Sequence, residues 1–459
     1  MPSYDAIVIG TGQAGRPLAK KLAQSGRKTA IVERAERVGG SCVVDGCTPT
    51  KTMVASARVA YLARRASEYG VATGDVEVDF ARVRERKRDI VDKFSEGSRR
   101  GLEEQENLDL IFGEARFASP REVRVAARDE GELCLTSPLV FINTGTRAKI
   151  PDVPGLFEIP YRTHATLMEL DRVPESLVVV GGGYVGLEFA QMFRRFGSKV
   201  TVVHRGPQLL SREDQDVASE VEKILREDGL ELLLSSTWVG AARGGTGSVL
   251  TVEAPEGRRP LAASEVLVAV GRLPNTDRLG LEAAGVAVDQ RGFIRVNERL
   301  ETNVPGIYAL GDVNGGPAFT HVSYDDYRIV ERNLIEGGNG STRDRLVPYC
   351  VFIDPELGRI GLSESEARER GLRFRVAKLP MTRVARALES DETRGFMKAL
   401  VEEGTGRILG AAILGVAGGE VMTVIEVAMM GKLPYTALRD GVFAHPTLAE
   451  SLNNLFSTV

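Results

Sequence analysis

Two cysteines five residues apart, Cys42 and Cys47, are the residues whose type and spacing point most directly to chemistry. The chain holds four cysteines in 459 residues, which is too few for the disulfide framework of a secreted protein of this size. A close pair of cysteines in a cytosolic chain is more often catalytic. We therefore predict that Cys42 and Cys47 are catalytic, whereas the isolated Cys134 and Cys350 are predicted to be inert.

The stretch after Cys47 predicts the element that positions its thiol. It is rich in alanine, lacks glycine, and places Val54, Val59 and Leu62 in a helical pattern. Cys47 is therefore expected near the start of a helix, where unpaired backbone N–H groups and the helix dipole stabilise a thiolate. The alternative is that the two cysteines are only small buried apolar residues.

An internal repeat at a shift of 171 residues lies on either side of this segment. The copies begin at Asp5 and Ser176, and each contains an apolar strand, a G-x-G-x-x-G turn, a helix that ends at a glycine, and a second apolar strand. Such glycines permit the tight turn, admit a pyrophosphate close to the backbone and let helix and strand pack, while the phosphates sit on the helix N-terminus. The chain is therefore predicted to bind two dinucleotides, through the glycines of the two copies: Gly10, Gly12, Gly15, Gly181, Gly183 and Gly186.

The residue that ends the second strand distinguishes the two copies. In the first copy it is Glu33, whose carboxylate suits the hydroxyls of an unphosphorylated ribose. In the second copy His204 and Arg205 stand there, with Arg212 a few residues on, and arginine can hold a 2′-phosphate by charge-assisted hydrogen bonds. The second copy is predicted to bind NADPH. The alternative is that these arginines are solvated surface residues.

Composition excludes several classes of protein. Lys and Arg number 59 against 63 Asp and Glu, a net charge of -4, so no basic excess favours a nucleic-acid partner. No apolar run approaches the roughly 20 residues of a membrane helix, and the first residues lack the layout of a signal peptide. We predict a cytoplasmic protein with no membrane or nucleic-acid partner and no metal site.

Six ordered sequence features carry a resemblance to a known family. They are GGSCVVDGCTPTK, the paired glycine fingerprints, FINTGTRAKIPDVPG, VAVGRLPNT, TNVPGIYALGDV and FAHPTLAE. Over its whole length the chain resembles the pyridine nucleotide-disulfide oxidoreductases, which include dihydrolipoamide dehydrogenase, glutathione reductase and mercuric reductase. The resemblance implies an α/β fold with two Rossmann-like dinucleotide-binding domains plus a C-terminal α+β dimerisation domain.

The resemblance also implies a division of the chain into domains. An FAD-binding domain is expected at 1–150 and 272–343, an NAD(P)H-binding domain at 151–271, and an interface domain at 344–459. The charged stretch from Arg82 to Glu104 is expected to be a solvated helix without a function. The protein is expected to be a homodimer whose active site is shared between subunits.

The site residues that the resemblance implies fall into two cofactor sets. Lys51 is expected beside the flavin ring, paired with Glu188, and Tyr184 is expected to gate the nicotinamide pocket. The residues expected to hold FAD are Gly10, Gly12, Gly15, Glu33, Gly40, Lys51, Thr144, Gly145 and Asp312. The residues expected to hold NADPH, with NADH as a second option, are Gly181, Gly183, Tyr184, Gly186, Glu188, His204, Arg205 and Gly271.

The expected reaction passes electrons from NADPH through FAD to a disulfide between Cys42 and Cys47. By resemblance, Cys47 is the thiolate next to the flavin and Cys42 attacks the substrate by thiol-disulfide exchange. Such exchange needs an acid and a base, and His445, oriented by Glu450 five residues later, is the candidate. In the family this pair reaches the cysteines of the other subunit.

The electron acceptor is the least determined part of this interpretation. A small oxidant, a metal ion or a disulfide is expected, since the chain looks most like the mercuric-reductase-like branch, which includes enzymes that reduce reactive chlorine species or hypothiocyanite. The chain ends in SLNNLFSTV without the vicinal cysteines of mercuric reductases. The alternative is a dihydrolipoamide dehydrogenase, possibly as the subunit of a multienzyme complex. The roles of Cys134, Cys350 and His321 are left open.

Overall fold

The structure, a computed structural model, describes residues 2–128, 131–245 and 247–459. Its strands are β1 (Ala6–Ile9), β2 (Thr29–Glu33), β3 (Leu108–Ser119), β4 (Glu122–Ala127), β5 (Gly131–Thr136), β6 (Val140–Ile142), β7 (Thr146–Ala148), β8 (Ser176–Val180), β9 (Lys199–Val203), β10 (Glu231–Leu233), β11 (Thr237–Arg243), β12 (Ser248–Ala254), β13 (Gly257–Ala263), β14 (Glu265–Val268), β15 (Arg272–Pro274), β16 (Ile307–Ala309), β17 (Tyr349–Val351), β18 (Glu356–Gly361), β19 (Phe374–Pro380), β20 (Phe396–Glu402) and β21 (Ile408–Gly415).

The helices alternate with these strands along most of the chain. They are α1 (Gly15–Gln24), α2 (Gly40–Val44), α3 (Cys47–Arg64), α4 (Phe80–Glu103), α5 (His164–Leu167), α6 (Tyr184–Phe196), α7 (Gln215–Glu227), α8 (Leu281–Ala284), α9 (Thr320–Leu334), α10 (Glu364–Glu369), α11 (Ala385–Glu389), α12 (Gly418–Met430), α13 (Tyr435–Arg439) and α14 (Ser451–Phe456).

The chain forms two compact units. The first unit comprises Met1–Thr52, Arg82–Lys149 and Gly271–Arg345, and the second comprises Met53–Ala81, Ile150–Val270 and Leu346–Val459. The domain division expected at residues 150, 272 and 344 stays a prediction.

The first unit is built on a sheet in the order β16-β6-β1-β2-β3-β4-β5. The strands from β16 to β3 are parallel, and β4 and β5 continue the sheet antiparallel. The apolar sequence of β1 allows both of its faces to be buried, as parallel strands require. Ile7 and Ile9 pack into a cluster on one face, while Ala6 and Val8 pack with Leu18 of α1 on the other.

The second unit contains a parallel sheet, the antiparallel sheet β11-β12-β13 and a second antiparallel sheet at the C-terminus. The parallel sheet has the order β10-β9-β8-β14 and repeats the β1–α1–β2 pattern as β8–α6–β9. The second antiparallel sheet, β17-β18-β21-β20-β19, comes from the C-terminal residues. Its core joins Ile413 of β21 to Ile425 of α12 and Phe456 of α14.

These elements confirm the predicted fold class and the predicted repeat. One local expectation needs correction, because the charged helix, observed as α4, is not solvated all round. Val91 and Leu102 are buried, and so is the side chain of Lys87. Within the part of the chain that the structure describes, no helix has both the length and the apolarity that a bilayer crossing needs.

Candidate active site

Cys42 and Cys47 lie in the first unit, on the consecutive helices α2 and α3. Cys42 lies within α2 and is half-buried, while Cys47 is exposed and is the first residue of α3. Both are free thiols in the structure. The Sγ atom of Cys47 lies 3.3 Å from the hydroxyl oxygen of Thr320, the first residue of α9. The predicted start of a helix at Cys47 is confirmed, and Thr320 is a neighbour that the sequence did not indicate.

The groups around Cys42 and Cys47 make the two thiols differ in how easily they ionise. A hydrogen bond to Cys47, burial, and the charge of Cys47 raise the pKa of Cys42, while a hydrogen bond from Thr320 and the charge of Arg16 act in the opposite direction. The net effect is upward. Cys47 stands where the N-terminus of an 18-residue helix favours negative charge. Cys42 therefore holds its proton more tightly than an ordinary cysteine, and the helix N-terminus favours a thiolate at Cys47.

The first glycine fingerprint forms a loop that only residues without side chains fit. Gly10 has a φ of +103°, in the region that favours glycine. A Cβ on Gly12 would lie 2.5 Å from Oδ1 of Asn143, and a Cβ on Gly15 would lie 2.2 Å from the carbonyl oxygen of Gly10. The backbone is thus open at the start of α1, where the helix N-terminus attracts phosphate. The loop fits the pyrophosphate of a dinucleotide.

Glu33 ends β2 beside this loop and is held in place on both carboxylate oxygens. Oε2 accepts from the backbone N–H of Thr11 at 3.0 Å and from its hydroxyl at 2.5 Å. Oε1 accepts from the backbone N–H of Ala35 at 2.8 Å. The side chain is buried, with 8% of its surface exposed. An oriented carboxylate next to the fingerprint loop suits the hydroxyls of an adenosine ribose.

Asn143 and Asp326 support the same loop region and were not expected from the sequence. Oδ1 of Asn143 accepts from the backbone N–H of Gly15 at 2.9 Å, and its amide donates to the carbonyl of Leu310 at 2.7 Å. The buried Asp326 accepts from the backbone N–H of Gly311 at 2.7 Å, and burial raises the pKa of its carboxyl. The only sequence signal was a polar amide immediately after the apolar β6, in FINTG.

Asp312 and the two residues expected with it lie in the first unit. The carboxylate of Asp312 accepts from the hydroxyl of Thr146 at 2.9 Å. The hydroxyl of Thr144 donates to the carbonyl of Asn275 at 3.0 Å, and Gly145 follows with a φ of +63°. The contact of Thr146 with Asp312 joins the segment after β6 to the segment after β16, at the edge of the sheet where doubly wound sheets bind ligands.

The second fingerprint has the same construction. Gly181 has a φ of +120°, and a Cβ on Gly186 would lie 2.0 Å from its carbonyl oxygen. Gly183 precedes α6, and Tyr184, the first residue of that helix, is 38% exposed. Gly271, expected at the same site, has a φ of +121° and belongs to the first unit. The second loop therefore fits a second dinucleotide as the first does.

The two residues that follow β9, His204 and Arg205, differ in how available their side chains are to a ligand. Nδ1 of His204 accepts from the backbone N–H of Gly182 at 3.2 Å, and burial lowers the pKa of this histidine. A neutral ring bonded to the loop is a weak partner for phosphate. Arg205 is exposed, and among the described residues it has no ion-pair partner within 4.0 Å. Arg205 is therefore the better candidate of the two for a 2′-phosphate.

The remaining expected residues lie on separate elements. Glu188 is buried on α6 and accepts from the backbone N–H of Phe352 at 2.9 Å, within the second unit. Lys51 is half-buried on α3 and belongs to the first unit. The pairing of Lys51 with Glu188 stays a prediction. His321 stacks on Phe319 with ring centroids 5.4 Å apart.

His445 and Glu450 form the expected pair in the second unit. Nδ1 of His445 lies 2.9 Å from both carboxylate oxygens of Glu450. The carboxylate orients the ring so that Nε2 is left for another partner. The histidine side chain is 67% exposed, so Nε2 is accessible for proton transfer.

Two dinucleotide-binding repeats, a thiol pair at a helix N-terminus and an oriented histidine define a flavin-dependent disulfide reductase. The chain belongs to the pyridine nucleotide-disulphide oxidoreductase family, whose model matches residues 4–326 and whose dimerisation domain matches residues 347–456. It is therefore an oxidoreductase that uses FAD and NAD(P)H and acts on a small-molecule substrate as a homodimer.

Two named relatives and one solved structure are similar to the chain over most or all of its length. The chain is 39% identical to the probable pyridine nucleotide-disulfide oxidoreductase RclA of Escherichia coli, over 100% of both chains. It is 34% identical to a mercuric reductase of Staphylococcus aureus, covering 98% of this chain and 81% of the relative. A solved structure, the Cu(II) complex of HOCl-induced flavoprotein disulfide reductase RclA from Escherichia coli, superposes with a TM-score of 0.92 at 39% identity over 100% of both chains.

Proposed function

We propose that the chain reduces a small oxidant, metal ion or disulfide with electrons from NADPH, and that Cys42 and Cys47 are its redox-active pair. The observation that carries the proposal is the arrangement of the thiols: Cys42 is hydrogen-bonded to Cys47, and Cys47 is the first residue of a helix, with its sulfur 3.3 Å from the hydroxyl oxygen of Thr320. Bound FAD supplies the transfer of electrons between the nicotinamide and the disulfide.

The chain's own residues are proposed to hold the cofactors in two places. The first fingerprint with Glu33 and Asp312 orients the FAD, and Gly40, Lys51, Thr144 and Gly145 complete that site. The second fingerprint, with Tyr184 and Glu188, positions the nicotinamide nucleotide, and Arg205 favours NADPH. On this basis we propose FAD binding by 1–150 and 272–343, NADPH binding by 151–271, and dimer contacts by 344–459.

The two thiols are proposed to have different roles in the reaction. Cys42 attacks the acceptor, and Cys47 then closes the disulfide with Cys42 and releases the reduced product. Because the pKa of Cys42 is raised, the attack needs a base. His445 of the other subunit accepts this proton and Glu450 stabilises the resulting cation, so each active site takes residues from both subunits.

The relatives support an acceptor that reacts directly with a thiolate. The similar RclA is described as an HOCl-induced reductase and was solved in complex with Cu(II), and another relative is a mercuric reductase. Chlorine oxidants react with thiolate sulfur, and soft metal ions bind to it. We therefore propose an acceptor of this kind.

Dihydrolipoamide dehydrogenase activity is the second candidate. A dihydrolipoyl dehydrogenase of Geobacillus stearothermophilus is 34% identical over 97% of this chain and 94% of its own length. The identity to RclA is higher, and His204, followed by the exposed Arg205, stands at the position of the acid that favours NADH. This candidate is therefore the weaker one.

The experiment that separates these functions is a steady-state screen of the purified holoenzyme. NADPH and NADH are each tested against Cu(II), mercuric ion, hypochlorite-derived oxidants, hypothiocyanite, glutathione disulfide and lipoamide. We expect NADPH-dependent turnover of an oxidant or metal ion that is lost in Cys42→Ser. If lipoamide with NADH is turned over faster than every other combination of acceptor and nicotinamide cofactor, the second candidate is favoured.

A further inference from the structure

The loop between β9 and α7, residues 204–214, is bound to the second glycine fingerprint. Nδ1 of His204 accepts from the backbone N–H of Gly182 at 3.2 Å, and the backbone N–H of Leu210 donates to the carbonyl of Gly182 at 3.0 Å. Leu209 is fully buried, and a Cβ on Gly182 would lie 2.7 Å from its side chain. The start and the middle of the loop are therefore held at the same glycine.

Two exposed arginines lie on this loop. Arg205 follows His204, and Arg212 precedes Glu213. Among the residues that the structure describes, neither arginine forms an ion pair within 4.0 Å. Both guanidinium groups are therefore available to an anionic ligand, and the backbone of the loop decides where they stand.

Glu213 fixes the end of the loop by a buried ion pair. Its side chain is 3% exposed, and Oε2 lies 2.9 Å from Nε of Arg359, whose side chain is 6% exposed. Oε1 accepts a hydrogen bond from the hydroxyl of Tyr349, and the guanidinium of Arg359 also donates to the carbonyl of Ala411 at 2.8 Å. Arg359 and Tyr349 lie on β18 and β17, within the dimerisation domain at residues 347–456. The loop is therefore joined to the C-terminal sheet, inside the second unit.

The turn that precedes Glu213 is closed by two hydrogen bonds. The backbone N–H of Glu213 donates to the carbonyl of Leu210 at 2.8 Å. The side-chain amide of Gln208 donates to the carbonyl of Glu213 at 3.0 Å. Because these bonds make one compact turn, a shift of Glu213 moves the backbone of Arg212 with it.

Two more acidic residues join the same segment to the C-terminal sheet. Nζ of Lys398, on β20, lies 3.1 Å from the carboxylate of Asp214 and 2.8 Å from that of Asp216. The side chain of Lys398 is 3% exposed and also lies 2.6 Å from the carboxylate of Glu364. Breaking a buried ion pair leaves a charge without compensation, which is costly. The end of the loop is therefore confined to one position on the sheet.

We propose that Glu213 is a positioning residue for the selection of NADPH, and that the dimerisation domain takes part in this selection through Arg359. The proposal rests on the proposed function, in which Arg205 favours NADPH. Charge-assisted hydrogen bonds to a 2′-phosphate depend on the placement of the guanidinium groups. NADH has no 2′-phosphate, so its binding should not depend on the placement of Arg205 and Arg212.

Reduction of the bound flavin by each nucleotide tests the proposal on the purified holoenzyme. Anaerobic stopped-flow with NADPH or NADH needs no electron acceptor, and the dependence of the rate on nucleotide concentration gives an apparent Kd. Glu213→Gln removes the charge and keeps the size of the side chain. We expect it to raise the apparent Kd of NADPH about tenfold, to change that of NADH less than about twofold, and to leave the limiting rate unchanged for both.

Two further variants control for the stability of the fold. Tyr349→Phe removes one hydrogen bond to Glu213 and leaves the ion pair in place, so the apparent Kd of NADPH should rise about threefold with FAD content unaltered. This variant carries the test if Glu213→Gln loses its flavin. Glu265→Gln makes the same change of charge in the partly buried pair of Glu265 with Arg162 on the same unit, and it should leave the preference for NADPH unaltered.

A third comparison shows whether Glu213 acts through the arginines. In a chain that already carries Arg205→Gln and Arg212→Gln, adding Glu213→Gln should leave the apparent Kd of NADPH unchanged. Equal rises for NADPH and NADH would overturn the assigned role. A rise for NADPH that persists in full without the two arginines would overturn it as well.

Failure of this inference is distinguishable from failure of the proposed function. If the unaltered enzyme binds NADPH and NADH equally well, the proposed preference fails, and this inference fails with it. If Arg205→Gln loses the preference for NADPH while Glu213→Gln and Tyr349→Phe keep it in full, only the role of Glu213 is wrong.

Discussion

The sulfur of Cys47 lies 3.3 Å from the hydroxyl oxygen of Thr320, which begins α9. The same hydroxyl also forms a hydrogen bond with Cys42 that lowers its pKa. A single side chain, distant in sequence, therefore contacts both thiols. Since a hydroxyl donor stabilises a thiolate, Thr320 is placed to set how easily the pair ionises.

Removing this hydroxyl should make the thiols harder to ionise. In Thr320→Val we expect the apparent pKa values of the reduced pair to rise by on the order of one unit, because the thiolate loses a hydrogen bond. Thr320→Ser keeps the hydroxyl and serves as the control. The measurement is the ultraviolet absorbance of the thiolates as a function of pH. Identical titrations in the valine and serine variants would show that the contact has no electrostatic role.

The raised pKa of Cys42 predicts a particular pH dependence when the base is removed. In His445→Ala the thiol ionises without help, so the rate of reaction with an acceptor should increase about tenfold per pH unit until the pH reaches the pKa. With His445 present the dependence should be weaker near neutral pH, because the imidazole accepts the proton. Stopped-flow reoxidation of the reduced enzyme measures both profiles, and a flat profile in the variant would contradict this role.

The nicotinamide preference should depend on Arg205. Arg205→Glu is expected to weaken the use of NADPH by about 1–3 kcal/mol in kcat/KM, because a 2′-phosphate loses a charge-assisted partner and meets a like charge. The use of NADH should change little. Arg243→Glu, at an exposed arginine on β11 of the same unit, is the matched control. Equal efficiency of NADPH and NADH in the unaltered enzyme would remove the basis of this assignment.

The shared active site predicts complementation between two inactive variants. At neutral pH, Cys42→Ser abolishes and His445→Ala strongly slows the reaction at every site of its own homodimer. In a heterodimer of the two, one of the two sites combines an intact cysteine pair with an intact histidine. Co-expressed and separately tagged chains should therefore recover up to about half of the activity per dimer. A purified heterodimer without activity would mean that each chain uses its own histidine.

The sequence predicted those parts of the site that depend on local pattern. The start of α3 at Cys47 and the paired fingerprints follow from apolar periodicity and glycine spacing within a few residues. The contact of Asn143 with Gly15 spans 128 residues, and that of Thr320 with Cys47 spans 273. No spacing rule reaches across such distances, so these partners emerged only from the folded chain.

His204 illustrates a different limit. His204 directly follows β9, at the position that contacts the ribose in dinucleotide-binding folds, and the sequence therefore predicts it as a ligand of the 2′-phosphate. Its ring accepts a hydrogen bond from the backbone N–H of Gly182, and burial lowers its pKa, so its contact with a 2′-phosphate stays a prediction. The direction of a side chain depends on packing around it, which a repeat in the sequence does not specify.

The most direct test of the account counts thiols before and after reduction. The chain has four cysteines, and if Cys42 and Cys47 form the redox-active disulfide, the oxidised protein holds two free thiols and the reduced protein holds four. Anaerobic treatment with NADPH, followed by denaturation and thiol titration, should therefore release two additional thiols per chain in the unaltered protein and none in Cys42→Ser. An unchanged thiol count in the unaltered protein, with the flavin reduced, would contradict the central claim that electrons pass through this cysteine pair.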